Sequence, residues 1–132
     1  MKNTLTILIF TLLTSFAFTQ NRAINDEIYA FVEVEAEYPG GNKALIKFLA
    51  KNIRYPNRAV REEIEGKLVV RFVINQKGKV AGAKIQQGMP SCPECEKEAL
   101  RVVNKMPKWK PATVKGEKVK AYFDLPISFR LN

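Results

Sequence analysis

The chain has 132 residues, enough for one domain with one hydrophobic core. Its 22 Lys and Arg residues outnumber 13 Asp and Glu, for a formal charge of +9, and it contains no histidine. The absence of histidine removes the usual general base, the commonest metal ligand and every Ser-His or Cys-His nucleophile. No glycine-rich phosphate loop is present either. The composition therefore predicts a protein that is not an enzyme and uses neither a cofactor nor a metal.

Residues 1–20 are predicted to be a cleaved secretory signal peptide. Lys2 precedes an apolar run from about Leu5 to Phe18, and "AFTQ" closes the run with small and polar residues. The alternative is an uncleaved anchor, but the run is shorter than the roughly 20 residues that a spanning helix needs. Cleavage would remove one lysine and no acid, so the charge would fall from +9 to +8. We therefore expect a basic periplasmic protein, and export argues against nucleic acid as its partner.

The mature chain is expected to have a short polar lead-in over residues 21–30 and one domain over residues 31–132. "FVEVEAEY" at 31–38 alternates apolar residues with glutamates, which predicts a strand with one buried face. "PGG" at 39–41 should end this strand.

Two helices are predicted next. Asn42 can cap a helix that ends near Asn52 and buries Leu45 and its neighbours. Pro56 suits the start of a short second helix, and Gly66 is expected to end it.

A β-hairpin and a third helix follow. "KLVVRFVIN" at 67–75 and "VAGAKIQQG" at 80–88 are predicted strands, joined by a turn in which Gly78 can take a positive φ. Ser91 and Glu94 form an S-x-x-E capping box for a helix that Pro107 ends. In the loop that follows, Trp109 is expected to pack on the sheet.

The chain closes on its clearest strand pattern, "AYFDLPISFR" at 121–130. Apolar residues alternate with polar ones from Val119 to Leu131, which predicts one face on a core and the other in water. Pro126 cannot donate to a ladder, so this strand should lie at a sheet edge. Together with the hairpin and helices, it predicts an α+β fold: a two-layer sandwich of an antiparallel sheet with helices packed on one face.

The cysteines form one C-x-x-C motif, Cys92 and Cys95. Without histidine or further cysteines, one chain cannot assemble a four-ligand zinc site from them. In an exported protein we expect a structural disulfide. A redox pair at a helix start and free thiols are the alternatives, but no thioredoxin-like strand directly precedes the motif.

Several segments together resemble the TonB C-terminal domain family: "YP" at 55–56, "GKLVVRFVINQKGKV" at 66–80, "EALRVVNKMPKWKPA" at 98–112 and "VKAYFDLPISFRL" at 119–131. "EYPGG" at 37–41 resembles an extension found in many members from Bacteroidetes-type bacteria. The resemblance covers roughly residues 31–131, and it implies the antiparallel fold predicted above. Full-length members begin with a membrane anchor and a proline-rich linker. This sequence shows neither, so we expect it not to transmit force as they do.

The resemblance also implies a function. Family members bind the short TonB-box segment at the N-terminus of outer-membrane transporters, which adds a strand beside the last strand of the domain. By this resemblance the segment leading into Tyr55 and Pro56 lies beside the same site. The implied peptide-binding residues are Arg54, Tyr55, Pro56, Ala121, Tyr122, Phe123, Asp124, Leu125, Ile127, Ser128, Phe129 and Arg130.

Two rival functions fit parts of the sequence. A cell-wall or anionic envelope-surface binder would use the basic charge, with peptidoglycan as its partner. A thiol–disulfide redox protein would use Cys92 and Cys95. A second copy of the chain, paired through the edge strand to form a homodimer, is an alternative occupant of the peptide site.

Overall fold

The computed structural model describes residues 27–132 of the protein. The predicted signal peptide at 1–20 and the lead-in up to residue 26 lie outside the described residues. The described part folds as the expected α+β sandwich, with a four-stranded sheet and three helices.

The main sheet has four strands, in the order β1 (Ile28–Tyr29), β6 (Lys120–Phe129), β2 (Gly66–Ile74) and β3 (Val80–Gln87). Its centre is the pair of β2 and β6, which run antiparallel in unbroken register from Gly66 opposite Phe129 to Ile74 opposite Ala121. On its other side β2 forms the predicted hairpin with β3. The short β1 pairs with β6 in parallel, so the sheet is mixed rather than wholly antiparallel.

The helices form the second layer. They are α1 (Gly41–Asn52), α2 (Asn57–Arg61) and α3 (Pro93–Val103). Alternate residues of β2 and β6 are buried, and they share one core cluster with residues from all three helices. The central buried side chains are Leu68, Val70, Phe72, Ile74, Leu125, Ile127 and Phe129 from the sheet, and Leu45, Ala59, Ala99 and Val103 from the helices.

Trp109 packs on the sheet as predicted, with only 4% of the residue exposed. Its ring makes edge contacts with Tyr38, Phe72 and Phe123 at centroid distances of 5.5, 5.6 and 4.8 Å. Lys108 and Lys110 on either side are exposed. This cluster holds the loop after α3 and the segment before α1 against the same end of the sheet.

The predicted strand at 31–38 is wrong. Only two isolated bridges form there, Val34 with Thr113 and Glu37 with Lys110. Their partners lie in the loop that also contains the small hairpin of β4 (Thr113–Val114) and β5 (Glu117–Lys118). The segment is therefore tied to this loop and not to the main sheet. The alternation of apolar and polar residues at 31–38 indicates an extended segment, but it does not show which other segment forms hydrogen bonds with its backbone.

Helix starts also differ from the sequence expectation. Gly40, not Asn42, caps α1, and both Gly40 and Gly41 take positive φ angles of 91° and 84°. Cys92, not Ser91, caps α3, and its sulfur accepts the backbone N–H of Cys95 at 3.1 Å. Helices α2 and α3 also end earlier than predicted, at Arg61 and Val103, whereas α1 ends at Asn52 as predicted.

Candidate functional site

Strand β6 has one fully paired edge and one open edge. Its pairing with β2 covers residues 121–129. On the other edge, β1 pairs only with Lys120 and Ala121. Among the described residues, no strand pairs with this edge over positions 122–129. About eight residues of a long, regular strand are thus available to a further strand.

Pro126 fixes the direction in which the backbone groups of β6 point. Pro126 lies opposite Val69, and the pairing of β6 with β2 continues past it without a shift. Pro126 nevertheless has no N–H to donate to β2. Its nitrogen therefore faces the open edge. Because strand residues alternate with period two, the N–H and C=O groups of Tyr122, Asp124 and Ser128 face that edge as well. Tyr29 of β1 pairs opposite Ala121, so in this parallel ladder its carbonyl takes the N–H of Tyr122. Two N–H donors, those of Asp124 and Ser128, and four C=O acceptors are therefore available there.

An apolar groove lies beside the C-terminal half of this edge. Helix α1 and the residue after it supply Ile46, Leu49, Ala50 and Ile53, and the strand supplies Pro126, Ile127 and Ser128. The groove has a volume of about 300 Å³. Ile46 is 66% exposed although it is large and aliphatic. Such an exposed apolar surface beside an unpaired strand is typical of a protein-binding site.

A second, more polar pocket of about 370 Å³ lies at Phe123, in the N-terminal half of β6. It is lined by Phe123, Ala36 and Asn42 and by two acidic residues, Glu35 and Glu37. Both glutamates are exposed, and within the described residues neither forms an ion pair. The open edge therefore has an acidic end and an apolar end.

The outward face of β6 carries a charged pair. Asp124 accepts two hydrogen bonds from Arg71 of β2, at 2.7 and 3.0 Å, and this contact lowers the pKa of its carboxyl. The Arg71 guanidinium also lies 5.0 Å from the ring centroid of Tyr122. Ser128 and Arg130 are exposed on or just beyond the same strand. These side chains lie on the face of β6 away from the helix layer, and Ser128 also lines the groove beside α1.

The residues around Pro56 lie on a different surface. Arg54, Tyr55 and Pro56 line a groove of about 630 Å³ whose other wall is α3. The Tyr55 ring packs edge-on against Phe129 at 5.5 Å, and its hydroxyl donates to the carbonyl of Ile64. Tyr55 thus supports the end of β6 from the core side. The structure brings Ile53, not Arg54 or Pro56, to the groove beside the open edge.

The residues of α1 that line this groove were not predicted from the sequence as part of a site. Ile46, Ala50 and Ile53 recur at helical spacing on a stripe beside the buried face of Leu45 and Phe48. A second apolar stripe of this kind was the signal that could have identified them. Glu35 and Glu37 were assigned only to the solvent face of a strand.

The two cysteines form the expected disulfide, with both residues fully buried. Over residues 27–132 no group of three or more His, Cys, Asp or Glu side chains could hold a metal ion. No helix in that range has the length and apolar character needed to cross a membrane.

Comparison with known proteins gives a family for the chain. The model of the C-terminal domain of the Gram-negative bacterial TonB protein matches residues 51–131. A solution NMR structure of the Helicobacter pylori TonB C-terminal domain is 20% identical and has a TM-score of 0.47, covering 90% of this chain and 98% of that one. A shorter fragment of the same domain is 22% identical with a TM-score of 0.43, covering 66% and 89%. No curated protein is similar enough to count as a match. The chain therefore belongs to the TonB C-terminal domain family, whose members are protein-interaction domains of the Gram-negative envelope.

Proposed function

We propose that this domain captures an extended segment of a partner protein by adding it as a strand to the open edge of β6. The partner is an outer-membrane transporter that offers a segment from its N-terminus, and the encounter takes place in the periplasm. The observation that carries the proposal is the unpaired edge at 122–129 with an apolar groove directly beside it. The Cys92–Cys95 disulfide supports an oxidising compartment such as the periplasm.

Backbone groups would supply most of the affinity. The outward N–H and C=O groups of Asp124 and Ser128, with the carbonyls of Tyr122 and Pro126, can form hydrogen bonds to an added strand. Each such bond contributes about 0.5–1.5 kcal/mol net. Side chains of the added strand that face the helix layer would fill the groove at Ile46. Pro126 removes one donor from the middle of the edge, which limits pairing with unrelated strands.

The sharpest test removes one edge donor and leaves the ladder with β2 intact. Ser128 lies two residues after Pro126 in the strand, so its N–H also faces the open edge. The substitution Ser128→Pro deletes that N–H. Ser128→Ala is the matched control, because it changes the side chain and keeps the N–H. We expect Ser128→Pro to weaken binding of a transporter N-terminal peptide about fivefold, as the loss of about 1 kcal/mol implies. Ser128→Ala keeps the N–H and should bind more tightly than Ser128→Pro, and thermal unfolding would verify that both variants fold.

Amide-shift mapping by NMR locates the site independently. Titration with the same peptide should shift the amides of residues 122–129 and of the groove residues of α1. Shifts confined to the basic loop at 108–118, with 122–129 unmoved, would contradict the edge mechanism. That outcome, together with strong loss of binding in salt, would favour an anionic-surface binder.

A further inference from the structure

The two pockets beside the open edge lie a fixed distance apart along β6. Phe123 lines the acidic pocket and Ile127 lines the apolar groove. Both side chains point toward the helix layer, and they are separated by four residues of one strand. At about 3.3 Å per residue this spacing is about 13 Å. An added strand has the same rise, so its own side chains that meet the two pockets must also be four residues apart.

The chemistry of the two pockets differs. At the Ile127 end, Ile46, Leu49 and Ile53 offer an aliphatic surface to a side chain of the added strand. At the Phe123 end, Glu35 and Glu37 offer two carboxylates that pair with no cation among the described residues. Phe123 is itself half-buried, so its ring can cover the methylene stem of a long side chain whose charged end reaches the glutamates.

The geometry points to one class of ligand: an extended segment with a Lys or Arg and an aliphatic residue four positions apart on the same face. This inference rests on the proposed strand addition and specifies which segment the edge prefers. Charge complementarity at Glu35 and Glu37 selects the cation, and the exposed Ile46 selects the aliphatic residue. The preference is local, because it opposes the overall positive charge of the protein, which by itself would favour acidic partners.

Strand β1 sets one boundary of the ligand. It occupies the edge at Lys120 and Ala121, so an added strand must end at about Tyr122. The cationic residue opposite Phe123 therefore lies within one or two residues of an end of the paired segment. A segment that runs antiparallel to β6 has its aliphatic residue before the cation, and a parallel one has the cation first.

Designed peptides test the inference directly. The probes are peptides of about ten residues in a Ser and Thr background, with one Lys and one Ile four positions apart, made in both orders. Matched peptides carry Glu in place of Lys. We expect one of the two orders to bind five- to tenfold more tightly than its Glu counterpart, and the favoured order reports the strand direction.

Two pairs of variants assign the preference to the pockets. Glu35→Lys with Glu37→Lys should reverse the ranking of the Lys and Glu peptides. Glu63→Lys with Glu117→Lys makes the same change in net charge at exposed sites elsewhere, and it should preserve the ranking. Ile46→Ser should weaken binding of both peptides severalfold. The control is Val60→Ser in α2, because Val60 is also apolar and is 45% exposed. This control should leave the binding of both peptides unchanged.

The outcomes separate this inference from the proposed function. Peptides that shift the amides of 122–129 but bind equally with Lys or Glu would overturn the ligand class and leave strand addition standing. If the order of affinity of the Lys and Glu peptides reverses equally in both double Glu→Lys variants, the preference comes from net charge alone. That result would also overturn the inference. No shift at 122–129 with any peptide would overturn strand addition, and the ligand class with it.

Discussion

Gly78 lies in the turn between β2 and β3, against the backbone of Trp109. Its φ angle is +85°, and its carbonyl accepts the Trp109 N–H at 2.8 Å. A Cβ atom at this position would lie 2.0 Å from the Trp109 carbonyl oxygen. The contact joins the hairpin turn to the aromatic cluster that holds the chain segment before α1.

We expect Gly78→Ala to lower the free energy of unfolding by about 2–5 kcal/mol. The left-handed backbone costs about 1–2 kcal/mol for a residue with a Cβ, and the overlap with Trp109 adds about 1–3 kcal/mol. Gly82→Ala is the matched control, since Gly82 has a φ of +65° but no atom within 4 Å of its Cβ position. It should cost about 1 kcal/mol. Denaturant unfolding of both variants measures the difference, and equal losses would show that the contact with Trp109 does not matter.

At the scale of elements, α3 is fixed at its start by several contacts. Cys92 and Cys95 close a disulfide in its first turn, and Glu94 accepts hydrogen bonds from Arg58 of α2 at 2.5 and 2.9 Å. The Glu96 carboxylate accepts the Met89 N–H at 2.7 Å. The helix itself packs over β2 and β3, on the side of the sheet away from the open edge of β6.

Removal of the disulfide should therefore affect stability and not peptide binding. Closure of so short a loop contributes at most about 2 kcal/mol in the chain-entropy model, so a double Cys→Ala variant should lose about that amount. A double Cys→Ser variant should lose more, because it places hydroxyl groups where the cysteines are fully buried. Peptide affinity, measured by titration calorimetry on the folded variants, should stay unchanged. Loss of binding in a folded double Cys→Ala variant would instead give the cysteines a direct role in function.

For the whole molecule, we expect the free energy of unfolding to fall at acidic pH and to change little with pH near neutrality. No histidine titrates between pH 6 and 8. The Arg58 guanidinium lowers the pKa of Glu94 from its usual 4.5 to about 2, and Arg101 and Arg71 lower the pKa values of Glu98 and Asp124. Each carboxylate therefore stabilises the fold fully above its unfolded pKa.

As the pH falls from about 4.5 toward 2, the unfolded chain binds protons before the folded one, and the free energy of unfolding should decrease. Thermal unfolding at pH 7, 5 and 3 should give similar midpoints at the first two values and a lower one at pH 3. Glu94→Gln should lower the midpoint at pH 7 and weaken its dependence on acid. Glu63→Gln controls for the loss of one charge. An acid response in Glu94→Gln as large as in the natural protein would rule out Glu94 as a contributor.

The sequence predicted those features that local patterns specify. Alternation over 121–130 identified β6 and its buried face, because side chains in a strand alternate with period two whatever lies beside it. The hairpin turn at Gly78, the three helices and the sandwich class followed from similar local rules. Helix caps were less accurate, since Gly40 and Cys92 cap α1 and α3 through geometry that side-chain preference did not indicate.

Tertiary structure alone decided which edge of β6 is open and what lies beside it. Pro126 indicated an edge strand, but only the unbroken register with β2 shows that its nitrogen faces the free side. The groove at Ile46 and the carboxylates at Glu35 and Glu37 meet this edge from segments about 80 residues away in the chain. The binding residues inferred from the sequence stay a prediction, and Tyr55 lies on the core side of Phe129. The sequence by itself determined the strand and the fold class, because periodicity and turn chemistry are local. The composition of the candidate site depends on contacts between distant segments, which no local pattern records.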